Sequence, residues 1–520
     1  MSVLPKQIAE IVDKTREPQL PIDHSLQLLG TLIDTSYELR EIEGLREALR
    51  FGSTLEKQDG WSSDRKLGLF YYISNAWGDI YEFTKANRDE SWGWEQPEVE
   101  KQIVYLRKAI IEPAFSTTHE VNRCQILTNL GNTLNHVGRS VEALQCWRDA
   151  LALKDDFGMA LGNFGKGLTD YGRSLHKRHD AIIVYNKGIE YMTDALDLPD
   201  LHPGAVESFI DHLKGLEPLT AHVRIGNHSF EKHEKFGRSK KEIAYRNWAV
   251  GNTLFLNHLN DLGVPSPEAA FDNLTLPSMV RPLLERSSHF EGLINQLKQE
   301  FVSARFLYFE AITSTNVHFS DRKVSLYNTL DCPSYSLAVE KVKIAFRLAY
   351  SILDKIAYFL NEYLDLKIPL KSVTFRTFWY KNLEKKKGLR SEFLDRRNWS
   401  LRGLFWLSKD LYENEPMFRA ALEPDAQELA EIRNHLEHKY LKVHEFGALE
   451  PELREDSLAY SIGRSEMVEK TLNMLKMARS ALVYLILAIH TEELARERAR
   501  DGNTKAAEIF IDTFDDSWKL

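Results

Sequence analysis

Cysteine is scarce in this chain. Its 520 residues include only Cys124, Cys146 and Cys332, which lie far apart. Because no two of them have paired spacing, the sequence supports neither a disulfide framework nor a cysteine-based zinc cluster.

Long apolar runs and an excess of positive charge are also missing. The longest apolar run, Ala481–Ile489, is too short for a membrane-spanning helix, which needs about 20 residues. The N-terminus has no signal-type apolar core. The formal net charge of −9 excludes a globally basic nucleic-acid coat, so a nucleic-acid site must be a local patch. These features predict a soluble, cytoplasmic protein with no membrane partner.

Strand-type alternation of apolar and polar residues is hard to find, and helical periodicity dominates. The sequence therefore predicts an all-α protein, and its length predicts two or three domains. Five C-terminal helices can be placed at about 287–314, 335–364, 400–413, after Pro424, and 465–500. They predict a four- to five-helix bundle over residues 285–520.

The N-terminal part shows degenerate internal repetition. Leu130-Gly131 and Leu134 have counterparts 34 residues later, at Phe164-Gly165 and Leu168. The pattern resumes after a four-residue insertion, where Tyr185 corresponds to Trp147. The spacing resembles the tetratricopeptide signature, in which small residues occupy the crossing of two helices. The sequence predicts tetratricopeptide-like hairpins over residues 1–215 and a structured connector over 216–284. A generic helical bundle is the alternative for the first region.

A short motif on the fourth helix of the bundle combines arginine, an amide and histidine. Arg433 is followed by Asn434 and, five residues on, by His438. Arginine suits a phosphate, and histidine transfers protons near neutral pH. Asn434 and His438 are four residues apart and share a helix face, whereas Arg433 and His438 are about 140° apart around the axis. The buried stripe is predicted to contain Leu429, Ile432, Leu436, Tyr440 and Val443.

At this point the chain resembles the HEPN superfamily (higher eukaryotes and prokaryotes nucleotide-binding). Arg433, Asn434 and His438 match its motif in type and spacing, and the repeat-plus-bundle order is similar to that of a bacterial subfamily. Residues 254–262 and 304–310 also resemble recurring parts of that subfamily. The resemblance implies a metal-independent endoribonuclease, often a toxin or antiviral effector, that cleaves by attack of the ribose 2′-hydroxyl. It implies catalytic roles for Arg433 and His438, an orienting role for Asn434, and a site formed in a homodimer.

A basic segment supports RNA as the partner. Residues 376–402 hold nine basic residues against three acidic ones, with Phe378, Trp379, Tyr380 and Trp399 interleaved. Cations with stacking groups suit a groove that follows a nucleic-acid backbone. We predict that tRNA or mRNA contacts a set of cations formed by Lys385, Lys386, Lys387, Arg396, Arg397 and Lys439. The alternative is a solvated basic loop whose aromatic residues belong to the core.

Two further interpretations stay open. A non-catalytic dimeric scaffold that binds RNA or protein would have the same fold. A metal-dependent hydrolase could use His435, His438 and His444, although the HExxH spacing is absent. We expect neither cofactor nor metal, and a protein or antitoxin partner is a further expectation for the repeat region.

Overall fold

A computed structural model of the chain describes residues 4–17, 20–85, 92–199, 201–220, 236–280, 289–329, 331–412, 426–445, 458–500 and 514–519. Within these ranges α-helix is the dominant secondary structure, with seventeen α-helices and one pair of short strands. The prediction of an all-α fold is confirmed.

Ten helices form the N-terminal part, and successive helices pack against each other. Some of their boundaries have a local cause: α5 begins at a proline and carries Glu98 and Glu100 in its first turn, as a helix N-terminus prefers. The ten helices are α1 (Lys6–Thr15), α2 (Ile22–Glu38), α3 (Ile42–Glu56), α4 (Ser63–Thr84), α5 (Pro97–Ile111), α6 (Glu120–His136), α7 (Ser140–Leu153), α8 (Gly158–Arg173), α9 (Arg178–Leu196) and α10 (Pro203–Thr220).

Glycines lie where the helices of two hairpins cross. In the α6–α7 hairpin, a Cβ on Gly131 would lie 2.6 Å from Nε1 of Trp147. In the α8–α9 hairpin, a Cβ on Gly165 would lie 2.6 Å from the carbonyl oxygen of Gly188. These close approaches explain the small residues in the repeated pattern. Assignment of the hairpins to the tetratricopeptide class, and the boundaries at 215 and 284, remain predictions.

The C-terminal part contains every helix predicted for the bundle. A short helix, α11 (Lys240–Gly251), precedes it. The bundle comprises α12 (His289–Ile312), α13 (Leu337–Tyr363), α14 (Ser391–Leu394), α15 (Trp399–Tyr412), α16 (Ala426–His438) and α17 (Arg464–Ala499).

The stripe predicted for α16 is wrong beyond the end of that helix. Leu429 and Ile432 are buried as expected, but α16 ends at His438. Tyr440 and Val443 lie on strand β1 (Tyr440–His444), which pairs in parallel with β2 (Ala459–Gly463). Val443 is buried there, whereas Tyr440 is 38% exposed.

The connector is bound to the bundle by two buried arginines. The guanidinium of Arg479 on α17 donates to the carbonyl oxygens of Phe255 and Asn257 and to both carboxylate oxygens of Asp261, at 2.6–3.0 Å. Arg305 on α12 donates to the carbonyl oxygen of Leu254 at 2.8 Å. Residues 254–262 therefore pack inside the protein as part of the core.

One hydrophobic core continues from the N-terminal helices into the bundle, and buried ion pairs cross the same boundary. Asp410 on α15 accepts two hydrogen bonds of 3.0 Å from Arg107 on α5 and also pairs with Arg139. Lys409 pairs with Glu100 at 2.9 Å. Since these charges are buried, each depends on its partner from the other part of the chain.

Two glycines meet backbone to backbone at this boundary. Gly138, in the turn between α6 and α7, has a φ of +90°, a conformation that favours glycine. A Cβ on Gly138 would overlap the carbonyl oxygen of Trp399, and one on Gly403 would overlap the carbonyl oxygen of Gly138. We name this contact the Gly138–Gly403 crossing.

Helix α17 is the one helix of the described ranges that is long and apolar enough to cross a membrane. However, 83% of its apolar window is buried inside the protein, as in a core helix.

Candidate functional site

Helix α16 packs against α15 and α13, and an ion pair joins it to α13. Leu429 and Ile432 are fully buried. Farther along the helix, the carboxylate of Glu437 accepts a hydrogen bond of 3.1 Å from Nε of Arg347 on α13. This packing fixes which faces of α16 point to the bundle and which to the surface.

Arg433 leans toward α13. Its guanidinium carbon lies 5.8 Å from the ring centroid of Tyr350, within the range of a cation–π contact. Its Nη1 donates to Oδ1 of Asn434 at 3.3 Å. The side chain is half-buried, so the charge is positioned by neighbours yet partly accessible.

A buried polar cluster lies below Arg433. The hydroxyls of Tyr350 and Tyr412 are hydrogen-bonded to each other, and Asp354 accepts the backbone N–H of Phe375 at 2.9 Å. Burial raises the pKa of Asp354, and the Phe375 N–H and the charge of Arg433 partly oppose that rise. Arg433 therefore lies in the field of a desolvated carboxyl group, which together with Tyr350 restrains its position.

His438 is the last residue of α16 and is exposed. In the part of the chain that the structure describes, its imidazole makes no hydrogen bond, and Asn434 bonds to Arg433 instead. Asn434 and the adjacent Lys439 are also exposed. Within one chain, then, the proton-transfer candidate faces solvent while the arginine lies over α13.

The three histidines of the metal interpretation are not brought together. Nδ1 of His435 lies 2.8 Å from the carbonyl oxygen of Glu431, and its ring packs against Tyr460. His444 is buried, and neither of its ring nitrogens is hydrogen-bonded within the described ranges. No group of three histidine, cysteine or acidic residues that could hold a metal ion occurs among the described residues.

The prediction that aromatic residues of the basic segment stack on RNA bases is wrong for three of them. Phe378, Trp379 and Tyr380 are buried in the core, so their rings cannot stack on RNA bases. Lys385, Lys386 and Lys387 form an exposed turn, and Arg397 is exposed as well.

Arg396 is not a free cation. Its Nη1 pairs with Glu492, and its Nε donates to the carbonyl oxygen of Glu392 at 2.6 Å. Glu492 lies near the C-terminal end of α17, whereas β2 leads into the N-terminal end, about 42 Å away along the helix. Arg396 therefore binds the bundle together and is removed from the RNA-binding set.

The structure also reveals functional neighbours that the sequence interpretation missed. Tyr350, Asp354 and Tyr412 were not singled out, although they surround Arg433. The sequence did show a carboxylate and two tyrosines on otherwise apolar helices, and buried polar groups of this kind need a hydrogen-bonding or charged partner. The spacing of residues along one helix could not show that the partner is Arg433, which lies on another helix.

Comparison with known proteins agrees with the geometry of the bundle. The model of the family described as LA2681-like HEPN matches residues 284–492, a range that contains α12 to α17 up to Glu492 and includes the Arg433–His438 motif. Neither the curated proteins nor the solved structures contain a match. Residues 284–492 of this chain are therefore a HEPN domain of the LA2681-like type.

Proposed function

We propose that the protein is a metal-independent endoribonuclease whose active site contains Arg433, Asn434 and His438. The observation that carries the proposal is the arrangement on α16: an exposed imidazole at the helix end and a restrained arginine one turn earlier, inside a HEPN domain. Superfamily members include ribonucleases, which makes this chemistry the first to test.

The proposed reaction is transesterification within the RNA. The ribose 2′-oxygen forms a bond to the adjacent phosphorus, and the bond from phosphorus to the 5′-oxygen breaks. The 2′-hydroxyl loses one proton and the leaving oxygen gains one; His438 transfers a proton in this exchange. Arg433 stabilises negative charge on the non-bridging oxygens, where such contacts are worth about 3 kcal/mol. Because the nucleophile belongs to the RNA, no metal-bound water is required.

We propose that two chains complete one site. Within a chain, Arg433 points to α13 and His438 to solvent, and the two lie on different faces of α16. A two-fold axis beside α16 would set His438 of one chain against Arg433 of the other, since a two-fold interface contacts itself. The proposed partner is thus a second copy of this chain, joined through the HEPN domain.

The RNA path is proposed to use the exposed cations. Lys439 adjoins the catalytic histidine, and Lys385, Lys386 and Lys387 are exposed on the bundle, whereas Arg397 lies beside Arg396, far from the motif. Such cations bind phosphates without reading sequence, so the affinity for tRNA or mRNA should fall steeply as salt rises.

The biological role that fits this chemistry is a cytoplasmic toxin or antiviral effector, with the N-terminal part restraining it or binding a protein or antitoxin. A test of restraint must use the full chain. Removing residues before 285 would expose Asp410, Lys409 and the continuous core, so an isolated bundle fragment is expected to misfold. A non-catalytic dimeric scaffold that binds RNA or protein is the second candidate, because it requires the same fold and exposed cations.

The test is cleavage in the presence of EDTA. Full-length protein is incubated with a mixed tRNA and mRNA pool and with a DNA oligonucleotide, and the product ends are analysed. We expect RNA fragments with 2′,3′-cyclic phosphates and 5′-hydroxyls, and intact DNA, because DNA lacks the nucleophile. Fragments with 5′-phosphates, or activity that EDTA removes, would contradict the mechanism. RNA binding without cleavage would favour the scaffold.

A further inference from the structure

A cleft of about 360 Å³ opens on the N-terminal part between α4, α5 and α6. We name it the α4–α6 cleft. Four carboxamides from three helices line it, together with two carboxylates: Asn75, Gln102, Asn129, Asn132, Asp79 and Glu82. Its volume lies within the range of small binding pockets, which begins at about 300 Å³.

The acidic groups of the cleft have no balancing cation among its lining residues. No lysine or arginine is among its lining residues, all of which the structure describes. His136 adds no cation at neutral pH, because burial and the charge of Arg402 lower its pKa to about 4. Within the described ranges, the carboxylates of Asp79 and Glu82 have no hydrogen-bond donor or cationic partner.

The pKa of Asp79 reflects the lack of a cation in the cleft. Burial, then the nearby acids Glu82 and Asp34, raise its pKa to about 7. A partly buried carboxyl group without a cation is disfavoured in its charged form. A ligand cation would relieve that penalty.

The carboxamides retain hydrogen-bonding groups that can face a ligand. Oδ1 of Asn132 accepts from Nε1 of Trp147 at 3.0 Å, which leaves the NH₂ group of Asn132 available. Asn129 donates to the hydroxyl of Tyr71 at 3.3 Å, so its carbonyl oxygen stays available. The half-buried Gln102 makes no hydrogen bond within the described ranges. Free amide donors and acceptors match the alternating N–H and C=O groups of an extended peptide.

We propose that the α4–α6 cleft binds an extended peptide segment of a partner protein, with a lysine or arginine side chain placed between Asp79 and Glu82. The carboxylates pair with the cation, and the carboxamides hold the adjacent main chain. A free polyamine offers the same cationic chemistry without the main chain, so the test separates these two sources. This proposal does not depend on ribonuclease activity.

The test uses fluorescein-labelled pools of blocked heptapeptides, whose central residue is fixed as Arg, Lys, Gln or Glu and whose flanks are randomised among Gly, Ala and Ser. Binding to the full-length protein is followed by fluorescence anisotropy at low salt. We expect the Arg and Lys pools to bind at least about tenfold more tightly than the Gln and Glu pools, as for hydrogen bonds to charged groups. Spermidine is measured separately by calorimetry.

The variants make the result specific. Asp79→Asn should lower the affinity for the Arg pool about tenfold, whereas Asp64→Asn, at an exposed acid on the same helix, should leave it unchanged. Equal binding of all four pools, or equal losses in both variants, would overturn the proposal. Binding of spermidine but of no peptide pool would overturn the peptide assignment and leave a polyamine site.

The Asp79→Asn variant should also be well folded. In the wild type, the folded state keeps a proton on Asp79 that the unfolded chain releases, between the ordinary pKa of 3.8 and the folded value of about 7. Asp79 therefore makes stability fall as the pH rises through this window. We expect the Tm advantage of Asp79→Asn to grow from pH 4 to pH 7 and then level off. A variant less stable than the wild type at pH 8 would contradict the unpaired state of this carboxyl group.

Discussion

Cleavage of RNA by the full-length protein is expected to fall at least about hundredfold when His438 is replaced by alanine, the usual loss when a group that transfers a proton is removed. Because His438 is exposed and makes no hydrogen bond in the described ranges, the substitution should leave the fold intact. The rate is measured on one labelled RNA in EDTA, with thermal unfolding as a check of folding. His24→Ala, at an exposed histidine of α2, is the matched control and should retain full activity. Equal cleavage by wild type and His438→Ala would remove His438 from the mechanism.

Mixing two inactive variants tests whether the site is shared between chains. Arg433→Ala should also be inactive, since it lacks the cation proposed to face the phosphate. If Arg433 of one chain acts with His438 of the other, an equal mixture of the two variants forms heterodimers with one intact site. Such a mixture should recover roughly a quarter of the wild-type rate. A site formed within one chain would recover nothing, although each variant would still bind RNA.

The largest expected loss of stability comes from Asp410→Ala. This carboxylate lies between the guanidinium groups of Arg107 and Arg139, and all three side chains are at least 92% buried. Removing it deprives two buried arginines of the carboxylate that they share, although Arg139 keeps its pair with Glu142 at 3.0 Å. Loss of one partner of a buried ion pair typically costs about 3–5 kcal/mol in the free energy of unfolding.

The measurement is urea unfolding of the full-length protein followed by circular dichroism. Asp23→Ala is the matched control: Asp23 also accepts two hydrogen bonds from one arginine, Arg65, but its side chain is 72% exposed. We expect the control to cost no more than about 1 kcal/mol, as exposed ion pairs do. Similar losses in both variants would show that the Asp410 cluster does not hold the two parts of the chain together.

The bundle could be predicted because its helices are long and strongly periodic. Helix α13, for example, was placed at about 335–364 and spans Leu337–Tyr363. Sequence failed at β1 because Leu436, Tyr440 and Val443 follow each other at spacings of four and three, as on one face of a helix. The competing signal is the alternation of buried Leu441 and Val443, and it is realised only by pairing with β2.

The candidate site shows the same limit. Its three motif residues could be picked out from residue type and spacing, because both follow from the chemistry and the helix period. The environment of Arg433 could not be predicted, since Tyr350 and Asp354 come from another helix. The aromatic residues of the basic segment were misleading for a related reason: composition places Trp379 beside cations, but only packing shows that it is buried.

The Gly138–Gly403 crossing has a consequence for how this protein can be recombined. Because each glycine occupies the space where the other's side chain would stand, neither position accepts a larger residue while the other keeps its backbone in place. A chimera that joins this N-terminal part to a HEPN domain with a side chain at position 403 should separate the turn after α6 from α15. The two parts of the chain should therefore be exchangeable only as a matched pair.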